Sequence, residues 1–249
     1  MSRFDAMGQR NMKLISMVAI AALSLTVATA ANAADAVADF SASSNTGAWQ
    51  YGEGVGGSSF TAFTNQVSGT LGAGFVGWQG ANAQSLVPLI GLNTTGSTLV
   101  FSTVVDPNDV VFMHPGQGAG RDAIVQWTAP SAGVYHVTGL FELLDTNPSG
   151  VILSIYKNST LYGPVPLTGP AASGTTPGGS APFDGNLTFA QGDTLQFVVN
   201  NDGNFYNDSV GLSASISAAP EPAAWALMMV GVGGMGAALR TRRRKAVAA

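Results

Sequence analysis

The feature that most restricts this chain is a run from Gly133 to Leu144, "GVYHVTGLFELL", in which apolar side chains recur at every second position. Tyr135, Val137, Phe141 and Leu143 fall on one face, and His136, Thr138 and Glu142 on the other. A period of two belongs to a strand with one face on a core and one towards water, and it cannot form the stripe of an amphipathic helix. Similar alternating or β-branched runs follow at "VILSIYKN" (151–158), "TLQFVVN" (194–200) and "VGLSASIS" (210–217). "TLVFSTVV" and "DVVFMH" come earlier, separated by the turn-prone Asp106-Pro107-Asn108-Asp109. Between residues 34 and 218 no helical pattern of useful length occurs. The expected fold is all-β, an antiparallel jelly-roll-type β-sandwich occupying 34–218 as one domain. "GPVPLTGPAASGTTPGGSAP" (163–182) reads as a long exposed connection within it.

Both ends of the chain carry a different signature. Arg3, Arg10 and Lys13 precede an apolar run from Leu14 to Val27, and small residues then stand at Ala31 and Ala33. That order predicts a secretory signal peptide over 1–33, cut by signal peptidase between Ala33 and Ala34. Met12 can serve as the start in place of Met1, because the signal is complete from there. Cysteine is absent, which excludes a lipid-anchored lipoprotein, a disulfide framework, a thiol nucleophile and a thiolate metal site. At the other end, over 219–249, Pro220-Glu221-Pro222 leads into an apolar stretch over 223–239 and a basic tail over 240–245. A run of that length sits at the lower limit of the roughly 17–25 residues that cross a bilayer as a helix. Arg240, Arg242, Arg243 and Arg244 hold the tail on the cytoplasmic side, so residues before Pro220 face outward from the inner membrane. The two prolines leave the backbone around Glu221 extended and open to a protease. On these residues alone a permanent anchor and a removable one fit equally well.

The ending "PEPAAWALMMVGVGGMGAALRTRRRK" resembles the PEP-CTERM sorting signal of Gram-negative bacteria in all three of its parts. The resemblance implies that exosortase, a membrane-embedded cysteine peptidase, recognises Pro220, Glu221 and Pro222 and cuts nearby. It further implies a protein sorted to the cell envelope or extracellular matrix, in company with exopolysaccharide and biofilm.

Charge narrows the partners of the region between the signals. Arg121 and Lys157 are its only basic residues against twelve acids, a net of −10 that the basic ends conceal in the whole-chain value of −4. Such a body has no electrostatic means of holding nucleic acid or an anionic lipid surface. Two groups of residues could carry binding chemistry. Trp49, Tyr51 and Trp78 either stack on pyranose faces or plug the core. Asp106, Asn108 and Asp109, and separately Asp202, Asn204, Asn207 and Asp208, either supply oxygens to a calcium ion or simply make turns. Catalysis has little to build on, since His114 and His136 are the only histidines and Glu53 and Glu142 the only glutamates between the signals.

The order "WQYG", Trp78, "MHPG", "IVQWTAPSAGVYHVTGLFELLD" and "GDTLQFVVNNDGNFYNDSVGL" is similar to jelly-roll modules of secreted bacterial proteins, including carbohydrate-binding modules. It implies the sandwich fold and a glycan partner. The expectation is an exported, non-catalytic matrix protein that binds exopolysaccharide or another glycan, with no required cofactor and calcium as the one candidate ion. The alternatives are a structural surface protein without glycan affinity and, less favoured, a carbohydrate-active enzyme. Replacing Pro220-Glu221-Pro222 by three alanines is expected to leave the protein membrane-bound in its host; fractionation showing unchanged release would remove the sorting role.

Overall fold

The computed structural model describes residues 33–165, 179–219, 229–234 and 240. Sixteen strands run in order: β1 (Ala34–Asp35), β2 (Trp49–Val55), β3 (Ser59–Ala62), β4 (Asn65–Ser68), β5 (Phe75–Gln84) and β6 (Val87–Asn93). Then come β7 (Leu99–Phe101), β8 (Val104–Asp106), β9 (Val111–His114), β10 (Asp122–Thr128) and β11 (Gly133–Leu143). The last five are β12 (Ile152–Lys157), β13 (Thr160–Val165), β14 (Ser180–Phe189), β15 (Thr194–Asn200) and β16 (Val210–Ala218).

They form two antiparallel sheets. One runs β14-β11-β16-β9-β6-β5-β4 with β1 added beside β16, and the other runs β13-β12-β15-β10-β2-β3. β7 and β8 make a separate hairpin. β2 and β10 of the second sheet lie against β5, β6 and β9 of the first, and the main core fills the space between. The alternation in β11 has the predicted sense: Tyr135, Val137, Phe141 and Leu143 are buried, while His136, Thr138 and Glu142 are half-buried. Tyr135, Trp127 and Phe189 meet edge-to-face, with centroids 5.2, 5.3 and 5.6 Å apart. The Tyr135 hydroxyl reaches the Ser131 carbonyl at 3.1 Å, so the polar tip of a buried ring is satisfied.

Three features depart from the sequence pattern. "TLVFSTVV" breaks at Ser102, whose φ of 53° turns the chain back on itself to make the β7–β8 hairpin. The Gly-rich stretch before residue 94 folds into five strands, because its glycines lie where neighbouring backbone leaves no room for a Cβ. At Gly77 that atom would run into the Ile90 carbonyl, and at Gly52 into that of Thr61. The predicted connection over 163–182 is shortened from both sides, since β13 runs to Val165 and β14 starts at Ser180; 166–178 lie outside the described residues.

The predicted terminal signals also fall mostly outside the described residues, namely the leader up to 32, Pro220-Glu221-Pro222, and Arg242, Arg243 and Arg244. Of the expected 223–239 span only 229–234 is described, as helix, with Arg240 helical beyond it. Among the described residues no helix is long and apolar enough to cross a membrane. β1 begins at Ala34, the residue after the expected cut, and pairs with Ile216 and Ser215 of β16. Cleavage there would leave every strand intact.

Trp127 is 2% exposed at the centre of the aromatic triad. Trp127→Ala is therefore expected to cost roughly 3–5 kcal/mol, a large share of a domain's stability, measured as a drop in the denaturant midpoint.

Candidate functional site

Over β6 and β9 the first sheet is buried on both faces. β6 alternates Ile90 towards the main core with Val87 and Leu89 towards the outside, and β9 likewise turns Phe112 outward. These outward side chains join Leu71, Phe75, Val104, Val110, Leu144 and Phe205 in a second, smaller core. The β7–β8 hairpin and the loop over 201–209 contribute to it. Where they meet the β5–β6 turn they leave a cleft of about 180 Å³.

Three tight backbone segments make the rim. Ser85 and Leu86 have φ of 51° and 74°, Ser102 has 53°, and Asn207 has 58°, all in the left-handed region that non-glycine residues rarely enter. Strain of this kind, costing of order 1–3 kcal/mol per residue, commonly accompanies functional loops. It also holds Leu86, Phe101 and Tyr206 outward, at 45%, 42% and 62% exposure. Tyr206 rests on the buried Phe205, ring centroids 4.4 Å apart, so its exposed ring has a firm base.

Polar groups from the hairpin, the 201–209 loop and β9 line the cleft as well. Thr103 Oγ1 donates to Asp145 Oδ1 at 2.6 Å and lies 3.3 Å from Asn207 Oδ1. Asp145 Oδ2 accepts the Ser209 amide at 2.7 Å. Asn207 Nδ2 donates to the Asn147 carbonyl at 3.0 Å. His114 donates from Nδ1 to the Pro115 carbonyl at 2.7 Å, which leaves Nε2 as an acceptor. Burial holds its pKa below the usual histidine value, so the ring is neutral at physiological pH. Among the described residues no lysine or arginine lines the cleft. Arg121 pairs with Glu53, and Lys157 with Asp193 at 3.2 Å.

The sequence-predicted aromatics lie elsewhere. Trp49, Tyr51 and Trp78 are 5%, 1% and 6% exposed and belong to the main core. This corrects the expectation that they stack on a sugar, since rings enclosed between two sheets offer no open face. Tyr51 packs on Phe40 at 4.6 Å, and the Trp78 indole donates to the Ser41 carbonyl at 2.8 Å. Among the described residues the exposed rings are Tyr206, Tyr162 and Phe101, and of these Tyr206 and Phe101 line the cleft. The signal for these two lay in position: Tyr206 precedes Asn207 and Phe101 precedes Ser102, both turn residues with positive φ, although Phe101 itself belongs to the run "TLVFSTVV".

Neither Asx cluster converges. Asp106 is 1% exposed while Asn108 and Asp109 are exposed; Asp208 is fully buried while Asp202 and Asn204 are exposed. Asn200, Asn201 and Asn204 each accept the amide two residues on, which is turn-making. Among the described residues no group of three or more His, Asp or Glu stands close enough to hold a metal ion. Asp145 had gone unremarked as a site residue, because it follows β11 without any motif.

No family model matches the chain, and no curated protein matches it. Among solved structures, a family 35 carbohydrate binding module from Clostridium thermocellum superposes at 16% identity and a TM-score of 0.28, over 50% of this chain and 81% of that one. A carbohydrate binding module from Cellvibrio mixtus lichenase, in complex with cellotriose, gives 9% identity and 0.24, over 64% and 92%. A β-glucosidase from Kluyveromyces marxianus gives 16% and 0.27, over 47% of this chain but only 12% of the enzyme. Scores at this level carry no argument about fold or ligand. The class, an all-β protein of two antiparallel sheets, rests on the strand pairing itself.

Two buried acids make the fold sensitive to pH. Burial pushes both Asp106 and Asp208 up to about 7, and Asp145 adds to the rise at Asp208 against hydrogen bonds from the Ser149–Gly150 segment. An unfolded chain releases these protons near 3.8, so between there and about 7 the folded state binds more protons. Stability from these groups is then full below the unfolded value and declines as pH rises to about 7. Asp106→Asn is expected to stabilise the protein by roughly 2–4 kcal/mol at pH 8 and hardly at pH 4, read from melts at both values.

Proposed function

We propose that this chain is an exported, non-catalytic glycan-binding protein of the cell envelope or extracellular matrix. Its jelly-roll-type sandwich would reach that address through the leader ending at Ala33 and the exosortase signal at Pro220-Glu221-Pro222. The observation that carries the binding part is the rim of the cleft. Tyr206 and Phe101 present rings of the kind that stack on the axial C–H face of a pyranose. Thr103, Asn207 and the Nε2 atom of His114 supply donors and acceptors beside them. A mostly apolar hollow with a few convergent polar groups is the usual form of a small-molecule site. At about 180 Å³ this one is smaller than the roughly 300–1,000 Å³ of drug-sized pockets, which suits a single sugar ring.

Calorimetric titration with the host's own exopolysaccharide, with and without calcium, tests the reading. Saturable binding is expected, and Tyr206→Ala should weaken it about tenfold or more while leaving the melting temperature within a few degrees, because the ring is exposed. Binding that survives Tyr206→Ala and Phe101→Ala would place the site elsewhere. No binding in either condition would favour a structural surface protein that acts through protein contacts.

A further inference from the structure

We infer that the cleft prefers an amino sugar whose nitrogen is free and cationic, as in a deacetylated hexosamine, over neutral and acidic sugars. The inference rests on the glycan-binding reading above and names the sugar class that site takes.

Most hydrogens inside the cleft are already spent. The Thr103 hydroxyl gives its one hydrogen to Asp145 Oδ1 at 2.6 Å, the nearer and charged acceptor, while its oxygen also lies 3.3 Å from Asn207 Oδ1. Asn207 cannot turn over to help, because its Nδ2 donates to the Asn147 carbonyl at 3.0 Å, and a carbonyl only accepts. Two oxygens therefore face each other without a hydrogen between them. The His114 ring is similarly placed, since Nδ1 donates to the Pro115 carbonyl at 2.7 Å and Nε2 is left an acceptor. His114 pairs with Leu89 across β6–β9 and shares the outward face with Phe112, so its ring forms part of the cleft's floor. The hydrogens left over are one N–H of Asn207 and the fully buried Ser209 hydroxyl, which has no partner. The Ser85, Ser102 and Tyr206 hydroxyls are exposed and serve either way. The interior calls for a ligand rich in donors.

Charge points the same way. Asp145 is fully buried, and its oxygens meet only neutral donors, the Thr103 hydroxyl and the Ser209 amide. Its charge is felt at both His114 and Asp208, and burial holds His114 neutral. Among the described residues no lysine or arginine lines the cleft. A buried carboxylate without a counterion is costly, and a cation bound in the cleft offsets that cost. An ammonium group supplies three donors and the positive charge together. A hydroxyl supplies one donor and no charge, an N-acetyl group one N–H and no charge, and a uronate carboxylate meets repulsion. At the rim, the Tyr206 and Phe101 rings attract a cation to their faces.

The test titrates the full chain, in a sugar-free detergent at about pH 6.5, with glucosamine, N-acetylglucosamine, glucose, glucuronic acid and ethanolamine. Glucosamine is mostly protonated there, its amine being comparable to an α-amino group of pKa roughly 7.7–8.0. It should bind about 10-fold or more tighter than glucose and N-acetylglucosamine, with glucuronic acid weakest. Raising salt from about 50 mM to about 500 mM should weaken glucosamine about threefold or more and leave glucose nearly unchanged. Asp145→Asn removes the charge and reverses the chain of hydrogens. The new amide donates to Thr103, whose hydroxyl is then free for Asn207, while its oxygen keeps the Ser209 amide. That variant should melt within a few degrees of the parent and cut the glucosamine-over-glucose ratio to about threefold or less; should it fail to fold, the salt series on the parent chain decides. Glucose or N-acetylglucosamine binding as tightly as glucosamine, or glucuronic acid binding tightest, would overturn the amine inference and leave glycan binding standing. Ethanolamine binding as tightly as glucosamine would remove the sugar from the recognition, and no binding by any sugar would overturn both readings.

Discussion

Asp145 is fully buried at the end of β11, and its two oxygens are taken by different parts of the chain. One accepts the Thr103 hydroxyl from the β7–β8 turn and the other the Ser209 amide where the 201–209 loop enters β16. Backbone bonds reinforce both ties: on the hairpin side the Val105 amide donates to Leu144 and the Thr146 amide to Thr103, and on the loop side the Leu144 amide donates to Ser209, each at 2.9 Å. A buried carboxylate is tolerable only when such donors replace water. Here the replacement clamps two segments separated by about a hundred residues of sequence onto one strand end. The cleft exists because that clamp holds its lips apart and its floor together.

The clamp works because the first sheet is covered on both faces over β6 and β9. Its inner face meets the second sheet through Trp49, Trp127, Phe141 and Phe197, which is the ordinary core of a sandwich. Its outer face over β6 and β9 carries a second apolar layer of Leu89, Phe112, Val104 and Phe205. Hairpin and loop lie over that layer much as a further sheet would, but they are too short to cover it fully. The uncovered remainder is the mostly apolar floor, with backbone strain at Leu86, Ser102 and Asn207 setting its edge. Site and stability thus draw on the same side chains, so the floor is under two demands at once.

The strands most legible from sequence were those with one wet face. β11 and β16 emerge close to where alternation puts them, since a period of two is the direct imprint of one-sided burial. β15, with Leu195 to Val199 all buried, shows instead through its apolar, β-branched run. β6, reading "VPLIGLN" with only Leu92 short of full burial, has no wet face and therefore no alternation to read. β2 to β5 were hidden by glycines of two kinds: Gly52, Gly54 and Gly77 serve close strand approach, while Gly57, Gly69, Gly72 and Gly74 make the turns between strands. The same blindness misassigned the rings. Trp49 and Trp78 look available in a Gly-rich stretch, whereas Tyr206, amid "NNDGNFYNDS", looks like loop filler.

What the sequence determined by itself was local: that the alternating runs are strands, where the export and sorting signals are expected, and the net charge of −10 over residues 34–218. Periodicity and charge are properties of neighbours along the chain, so they survive without a fold. Which aromatic rings face outward, which aspartates are buried, and that Asp145 joins Thr103 to Ser209 were decided only by tertiary structure. Burial and hydrogen-bond partnership depend on packing between distant segments, and a linear pattern does not record which segments those are.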